Sequence, residues 1–315
     1  MQHPPLPALK EAGPHGTKGF PCAVYQTHAV KKGTLVKHHW HNEVEILYFF
    51  GGNFHLEINM EHFGISSECL YFINPGELHS ISAEKVCDSG EDAVVFDTGI
   101  LGLDAYDAVW MQLMKPLRDQ KLLLPRCLTP DHPSFLPVLQ AFEELLHAFG
   151  RRLIDEGTPE RGIVTDDLTS QLYIKSALLR IFALLSSHGL FTSVEKNYDK
   201  RVERIKATLT YIRENYKEKI YIRDLAAVVN MNEQYFCRFF RKALGRSPME
   251  YVSEYRIKQS LHLLEETDLP VMEICLECGY NNLGNFLREF KKQTHTTPLK
   301  HRRQFLLKEH TFDPS

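Results

Sequence analysis

The sequence predicts an α+β protein: a β-rich N-terminal part, two helices after it, and an all-α C-terminal part. Three observations carry this. Short segments rich in Val, Ile, Tyr and Phe, broken by turn residues, run from about Pro21 to Val95. After about Leu101 apolar residues recur at helical spacing. Residues 200 to 308 then state one pattern twice, about fifty residues apart. With 315 residues, 43 % hydrophobic and 24 % charged, the chain has the composition of a globular protein of two ordinary domains, which excludes disorder and a fibrous repeat.

Residues 1 to 20, with prolines at 4, 5, 7 and 14, read as a mobile arm. Strands are expected at Thr34 to His41, Val44 to Phe50, Phe54 to Met60 and Cys69 to Ile73, separated by Asn42-Glu43, Gly51-Gly52-Asn53 and Asn74-Pro75-Gly76. That spacing implies a small sandwich or barrel over residues 21 to 130. Residues 131 to 197 follow as a helical, self-associating segment. In it Ser134 to Phe149 sets Phe135, Val138, Leu139, Phe142, Leu145 and Leu146 on one stripe, and Asp166 to Ser187 does so with Leu168, Leu172, Leu179, Phe182 and Leu185. Arg151 to Thr165 is a polar loop, and the boundary to the last domain, 198 to 315, falls near Tyr198.

Charge divides the chain at the same place. Residues 200 to 315 hold 21 Lys and Arg against 15 Asp and Glu, +6, leaving −9 for the rest, so a polyanion-binding module is joined to something else. Seven thinly spread cysteines make no disulfide framework, and no stretch approaches about 18 uninterrupted apolar residues; a cytoplasmic protein without a membrane span is expected. Cys275 and Cys278 form a C-x-x-C, but a zinc site needs about four ligands and no second pair exists, so both are read as core packing.

In the repeat, Leu225-Ala226 leads to Phe236, Arg238, Phe240, Lys242 and Ser247-Pro248, and Ile274-Cys275 to Phe286, Arg288, Phe290, Lys292 and Thr297-Pro298. A short helix (Ile222 to Val229; Val271 to Cys278) meets a tight break and a longer helix that Asn232 or Asn282 is placed to cap. Helix, turn, helix presents a helix that fits the DNA major groove. Arg238, Arg241 and Lys242, then Arg288, Lys291 and Lys292, supply charge. Met249 to Leu264, without Gly or Pro, spans about 24 Å as a helix and could set two reading helices in successive grooves about 34 Å apart.

Residues 200 to 305 resemble the DNA-binding domain of the AraC family of transcription regulators. The matching positions include Leu225-Ala226, Phe240, Gly245, Ser247-Pro248, Tyr251, Arg256, Leu263-Leu264, Ile274, Gly279-Tyr280, Phe286, Arg288, Phe290, Lys291-Lys292, Thr297-Pro298 and Arg302. His295 departs from the usual glycine and His301 from the usual aromatic residue. The resemblance implies that Gln234, Cys237, Arg238 and Arg241 in the first helix, and Asn282, Leu283, Asn285 and Arg288 in the second, face bases: arginine grips guanine, Asn or Gln adenine, and Cys237 or Leu283 a thymine methyl. It also implies RNA polymerase as a partner, a homodimer, a sugar or oligosaccharide effector, and no catalysis.

In the β-rich part, Gly33, His39, His41, Glu45 and Gly52 fall at the spacing of the first cupin motif, and Asn74-Pro75-Gly76-Glu77-Leu78-His79 resembles the second. A cupin-like barrel would aim His39, His41, Glu45 and His79 inward, a donor set that could hold a first-row divalent metal or contact a ligand directly. His38 has the opposite parity. Trp40 and Tyr71 are candidate walls of the ligand pocket. Two further readings stay open: a cupin metalloenzyme with an appended DNA module, and a regulator that senses metal itself.

Overall fold

The computed structural model describes residues 15–27, 33–83, 89–102, 107–150, 162–194 and 200–310. The arm before His15, most of the loop after Gly150 and the boundary at Tyr198 lie outside them. The described chain forms two compact units, one ending at Val194 and one beginning at Lys200, and each stands by itself below.

The N-terminal unit contains β1 (Cys22–Thr27), β2 (Gly33–His39), β3 (Val44–Phe50), β4 (Phe54–Ile58), β5 (Glu61–Ile65), β6 (Cys69–Ile73), β7 (His79–Ala83) and β8 (Gly90–Phe96). A short helix α1 (Lys115–Arg118), β9 (Leu122–Leu123), β10 (Cys127–Leu128), α2 (Phe135–Ala148), α3 (Leu168–Ser187) and β11 (Thr192–Ser193) follow. One antiparallel sheet runs β1-β8-β3-β6-β10, the other β2-β7-β4-β5. They face one another as a sandwich and do not close into a barrel.

Composition explains which sheet lies where. β3 and β6 read VEILYFF and CLYFI because both faces of their sheet are covered: Leu47, Phe49, Tyr71 and Ile73 meet the second sheet, while Ile46, Leu70, Phe72 and Val94 meet the helices. β4 and β7 alternate buried and more open residues, as a sheet with one wet face must. Phe135, Val138, Phe142 and Leu145 of α2 and Ile174, Leu178, Ile181 and Phe182 of α3 complete the outer core. Sealing one such side chain from water contributes roughly 1.5 to 3 kcal/mol.

The stripe expected on α2 is buried throughout. That on α3 splits: Phe182 and Leu185 face in, but Leu168, Leu172 and Leu179 are exposed. α3 is apolar on more than one side, so period alone could not choose the inward face. Among the described helices it is also the one long and apolar enough to cross a membrane, by length and composition only, and its inner residues belong to the core above. The end of the expected arm is packed rather than loose, with His15 and Phe20 both buried.

The C-terminal unit is helical: α4 (Lys200–Asn215), α5 (Ile222–Val228), α6 (Glu233–Leu244), α7 (Pro248–Glu266), α8 (Val271–Glu277), α9 (Leu283–Thr294) and α10 (Pro298–His310). α7 is the expected connector. Ser247 caps it, its Oγ accepting the Glu250 N–H and Glu250 accepting that of Ser247, a reciprocal pair of bonds at a helix start.

Candidate functional site

α5 with α6, and α8 with α9, form two helix-turn-helix units. Asn232 Oδ1 accepts the Tyr235 N–H at 2.8 Å, and Asn282 Oδ1 accepts the Asn285 N–H at 3.0 Å, so both caps hold as the sequence indicates. Phe236 and Phe240 in one, Phe286 and Phe290 in the other, are fully buried. This fixes the opposite faces outward: Gln234, Arg238 and Arg241 on α6, Asn285 and Arg288 on α9 are exposed. Cys237 is half-buried beside Gln234 and Arg238.

Two residues of the expected reading face make contacts within their own unit. Leu283 packs half-buried against the second unit's core, with Ile274, Cys275 and Phe286, and so is drawn away from solvent. Asn282 spends its carbonyl oxygen on the cap. Cys275 and Cys278 are buried in that core, where burial pushes the Cys278 thiol up to about 12, as suits packing rather than chemistry.

Each unit is closed by an arginine reaching back to carbonyls at a preceding helix end. Arg256 donates to Tyr216 O at 2.8 Å and Glu218 O at 2.6 Å; Arg302 donates to Leu264 O, Thr267 O and Leu269 O. Carbonyls at helix ends lack partners within the helix, and these cations supply them.

In the sandwich, His39 and His79 are cross-strand partners in the β2–β7 ladder, while His41 follows β2 and Glu45 is the second residue of β3 in the facing sheet. His79 Nε2 lies 2.9 Å and His41 Nε2 3.2 Å from the same Glu45 oxygen, Oε2. The His39 and His79 rings are 4.1 Å apart between centroids. One ligand atom from each of the four residues falls within 4.8 Å of every other. Burial alone would push the Glu45 carboxyl up, but His79 and His41 reverse this and hold it well below the usual range.

The imidazoles are oriented from behind. Nδ1 of His39 lies 2.9 Å from Lys37 O, that of His41 3.1 Å from Glu43 O, and that of His79 2.9 Å from Glu77 O. A carbonyl needs a donor, so Nδ1 carries a proton, and in the neutral ring Nε2 keeps its lone pair. Two lone pairs then face a carboxylate oxygen, an arrangement balanced by added positive charge: an imidazolium proton or a divalent cation. The donor set of three imidazoles and one carboxylate fits a first-row divalent metal.

The second motif is a scaffold for this cluster. Gly76, at φ +77, donates its N–H to His41 O at 2.7 Å. Glu77 holds Arg126 through two bonds of 2.7 and 2.6 Å and accepts the Asn74 N–H, while Asn74 Oδ1 accepts the Leu124 N–H. The loop bearing His79 is thereby tied to the segment before α2. His38 turns away to Glu57 and Ser80, as its parity requires. Tyr71 lies between the sheets beside Phe49 and Phe63, whereas Trp40 is buried apart from both apolar clusters of the sandwich.

Two residues were not singled out from sequence. His15 Nδ1 lies 2.7 Å from Tyr25 Oη, and its ring packs on His41 at 5.0 Å; with His41 and Glu43 it makes a second cluster of donors. Glu91, opposite Phe49 on β8, is a buried carboxyl pushed up by burial and by Glu45 and Asp92. For His15 the arm's prolines masked the signal. For Glu91, an acid between Gly90 and Asp92, burial comes from the strands on either side of β8 and has no local signal.

Residues 22–161 match the family described as an AraC-like ligand binding domain, and residues 225–304 match a helix-turn-helix domain. Together the two matches cover more than two-thirds of the chain in the order its two units have. The chain belongs to the AraC family of transcription regulators. It is 25 % identical over 297 residues to the HTH-type transcriptional regulator YdeC of Bacillus subtilis, covering 94 % of this chain and 96 % of that one. It is 24 % identical over 273 residues to YdiP of Escherichia coli, covering 85 % and 81 %. Among solved structures, the DNA-binding domain of AdpA in complex with a target DNA matches 33 % of this chain and 95 % of its own, with 25 % identity and a TM-score of 0.33. As an AraC family member the protein is a ligand-responsive, DNA-binding transcription regulator. The family's glycine after the last reading helix is His295 here, and it takes the same left-handed backbone, φ 57, with its N–H on Lys291 O. His301, in place of the usual aromatic residue, packs edge-on against Phe290 and pairs with Glu265 at 2.7 Å.

Proposed function

We propose that the protein reads a specific DNA site through Gln234, Arg238 and Arg241 of α6 and Asn285 and Arg288 of α9, and that a divalent cation held by His39, His41, Glu45 and His79 shapes its sensor. The observation that carries the first statement is the pair of capped helices, each burying its phenylalanines and turning polar and cationic side chains outward. The convergence of oriented Nε2 atoms on Glu45 Oε2 carries the second.

The effector on this reading is a sugar or oligosaccharide beside the cluster, supported by the family and by the aromatic ring of Tyr71 between the sheets. Binding it changes the relative stability of two arrangements of a dimer. The dimer forms through the exposed Leu168, Leu172 and Leu179 of α3, because a soluble chain seldom leaves such a row open and a second copy presents the same row. RNA polymerase is the further partner, and the cytoplasm the compartment. The cluster also supports a regulator that responds to the metal itself.

Elemental analysis of purified protein tests the site: near-stoichiometric divalent metal is expected, lost in the His39→Ala, His41→Ala double variant. Metal-free protein that still responds to its effector would make the cluster a polar ligand pocket instead. Chelation that changes DNA affinity with no carbohydrate present would select the metal sensor. Leu172→Glu should convert a dimer to a monomer in light scattering; a wild-type monomer at micromolar concentration would remove the dimer.

A further inference from the structure

Three exposed side chains at the start of α5 are not used by the reading face. Lys219 Nζ lies 4.9 Å and Arg223 Cζ 4.7 Å from the centre of the Tyr221 ring, so two cations share one aromatic ring. The ring attracts each cation, and an anion that both side chains reach would add to that attraction. The acid beside them is Asp224. Its Oδ2 accepts the Tyr221 N–H at 2.9 Å, its Oδ1 is 3.7 Å from Arg223 Nε, and the Arg223 side chain remains 70 % exposed.

Position gives these cations a partner. Ile222, between Tyr221 and Arg223, shares a surface cleft with Glu233, Gln234, Cys237 and Arg238, so the trio borders the face that presents Gln234 and Arg238. A helix seated in a major groove about 12 Å wide has a sugar-phosphate strand on either side. Groups flanking the reading residues therefore meet phosphates before bases. The second unit has nothing comparable, since Asp268, Pro270 and Met272 occupy the matching positions and Met272 is exposed.

We propose that Lys219, Tyr221 and Arg223 form a clamp for a DNA backbone phosphate beside the half-site read by α6. Lys219 and Arg223 donate to its non-bridging oxygens, and the Tyr221 ring holds the two cations at a fixed separation. The clamp deepens the reading above and rests on α6 lying in the groove.

The test uses the full chain and a duplex that it selects from random sequence, with the dissociation constant measured between 50 and 200 mM salt. Each phosphate contact contributes about 0.9 to the slope of log K against log salt. The Lys219→Ala, Arg223→Ala variant should lower that slope by about 1, while its ranking of single-base variants of the site stays that of the wild type. Asp268→Lys with Met272→Arg should raise the slope by adding a counterpart in the second unit. An unchanged slope in the first variant, where Arg238→Ala still alters base preference, overturns the clamp alone. If Arg238→Ala alters no base preference, α6 is not in the groove and the reading on which the clamp rests falls with it.

Discussion

The two helix-turn-helix units share one plan and use it differently. Phe236 and Phe240 of the first correspond to Phe286 and Phe290 of the second, all fully buried, and Asn232 and Asn282 cap both reading helices. What differs is the surface. The first turn of α6 offers Glu233, Gln234 and Tyr235, whereas that of α9 offers Leu283, folded toward the core, then Gly284 and Asn285. The short helix before α6 begins among Lys219, Tyr221 and Arg223; the one before α9 begins among Asp268, Pro270 and Met272. A duplicated frame thus keeps its interior and varies its exterior, and on the proposed reading DNA contact is weighted toward the first unit.

The shared interior gives the largest expected effect. Phe240→Ala and Phe290→Ala should each cost about 3 to 5 kcal/mol in chemical denaturation, because both remove a buried ring from the same place in the plan. A loss below about 1 kcal/mol at either position would show that the interiors are not equivalent.

The exteriors give the next effect. Arg238→Ala should relax base preference in its half of the site by about 1 to 3 kcal/mol, read by competition against single-base variants at fixed salt. Leu283→Ala should change base preference little and instead lower the melting temperature, since Leu283 is drawn into the core. Equal losses of DNA affinity from both, uniform over all bases, would mean that both helices mainly hold phosphates.

The smallest effect concerns the ends of the reading helices. Gly245 and His295 both take left-handed backbone, φ 69 and 57, and only glycine does so without strain. His295→Gly should therefore stabilise the protein by about 1 kcal/mol, and Gly245→His should cost a similar amount, in thermal unfolding. No gain from His295→Gly would mean that the imidazole makes up for its backbone.

The repeat, the caps and the cupin-type spacing were legible because each depends on local order: a period, a polar residue before an apolar run, two histidines of equal parity. β3 and β6 were equally legible, being apolar throughout apart from Glu45. β1, β5, β7 and β8 were not placed individually, because strands such as Glu61–Ile65 and Gly90–Phe96 carry Gly, Glu and Asp whose role is set by the strand alongside. The donor set at His39, His41, Glu45 and His79 was readable, but its orienting carbonyls and the Arg126–Glu77 brace were not, since 49 residues of sequence separate that pair. Leu168, Leu172 and Leu179 were placed on one stripe with Phe182 and Leu185 because apolar character alone does not say which of two apolar faces packs inward.

One feature of the C-terminal unit bears on how it comes apart. α7 is a wall of two cores at once: Tyr251 meets Phe240 and Tyr255 meets Tyr216 on one side, while Ile257 and Leu264 pack with Phe286 and Phe290 on the other. Melting either helix-turn-helix unit strips that wall from its neighbour. A form with one unit folded and the other unfolded would expose apolar surface on both, so the two units are expected to unfold in a single cooperative transition, in which a lesion in one unit lowers the stability of both.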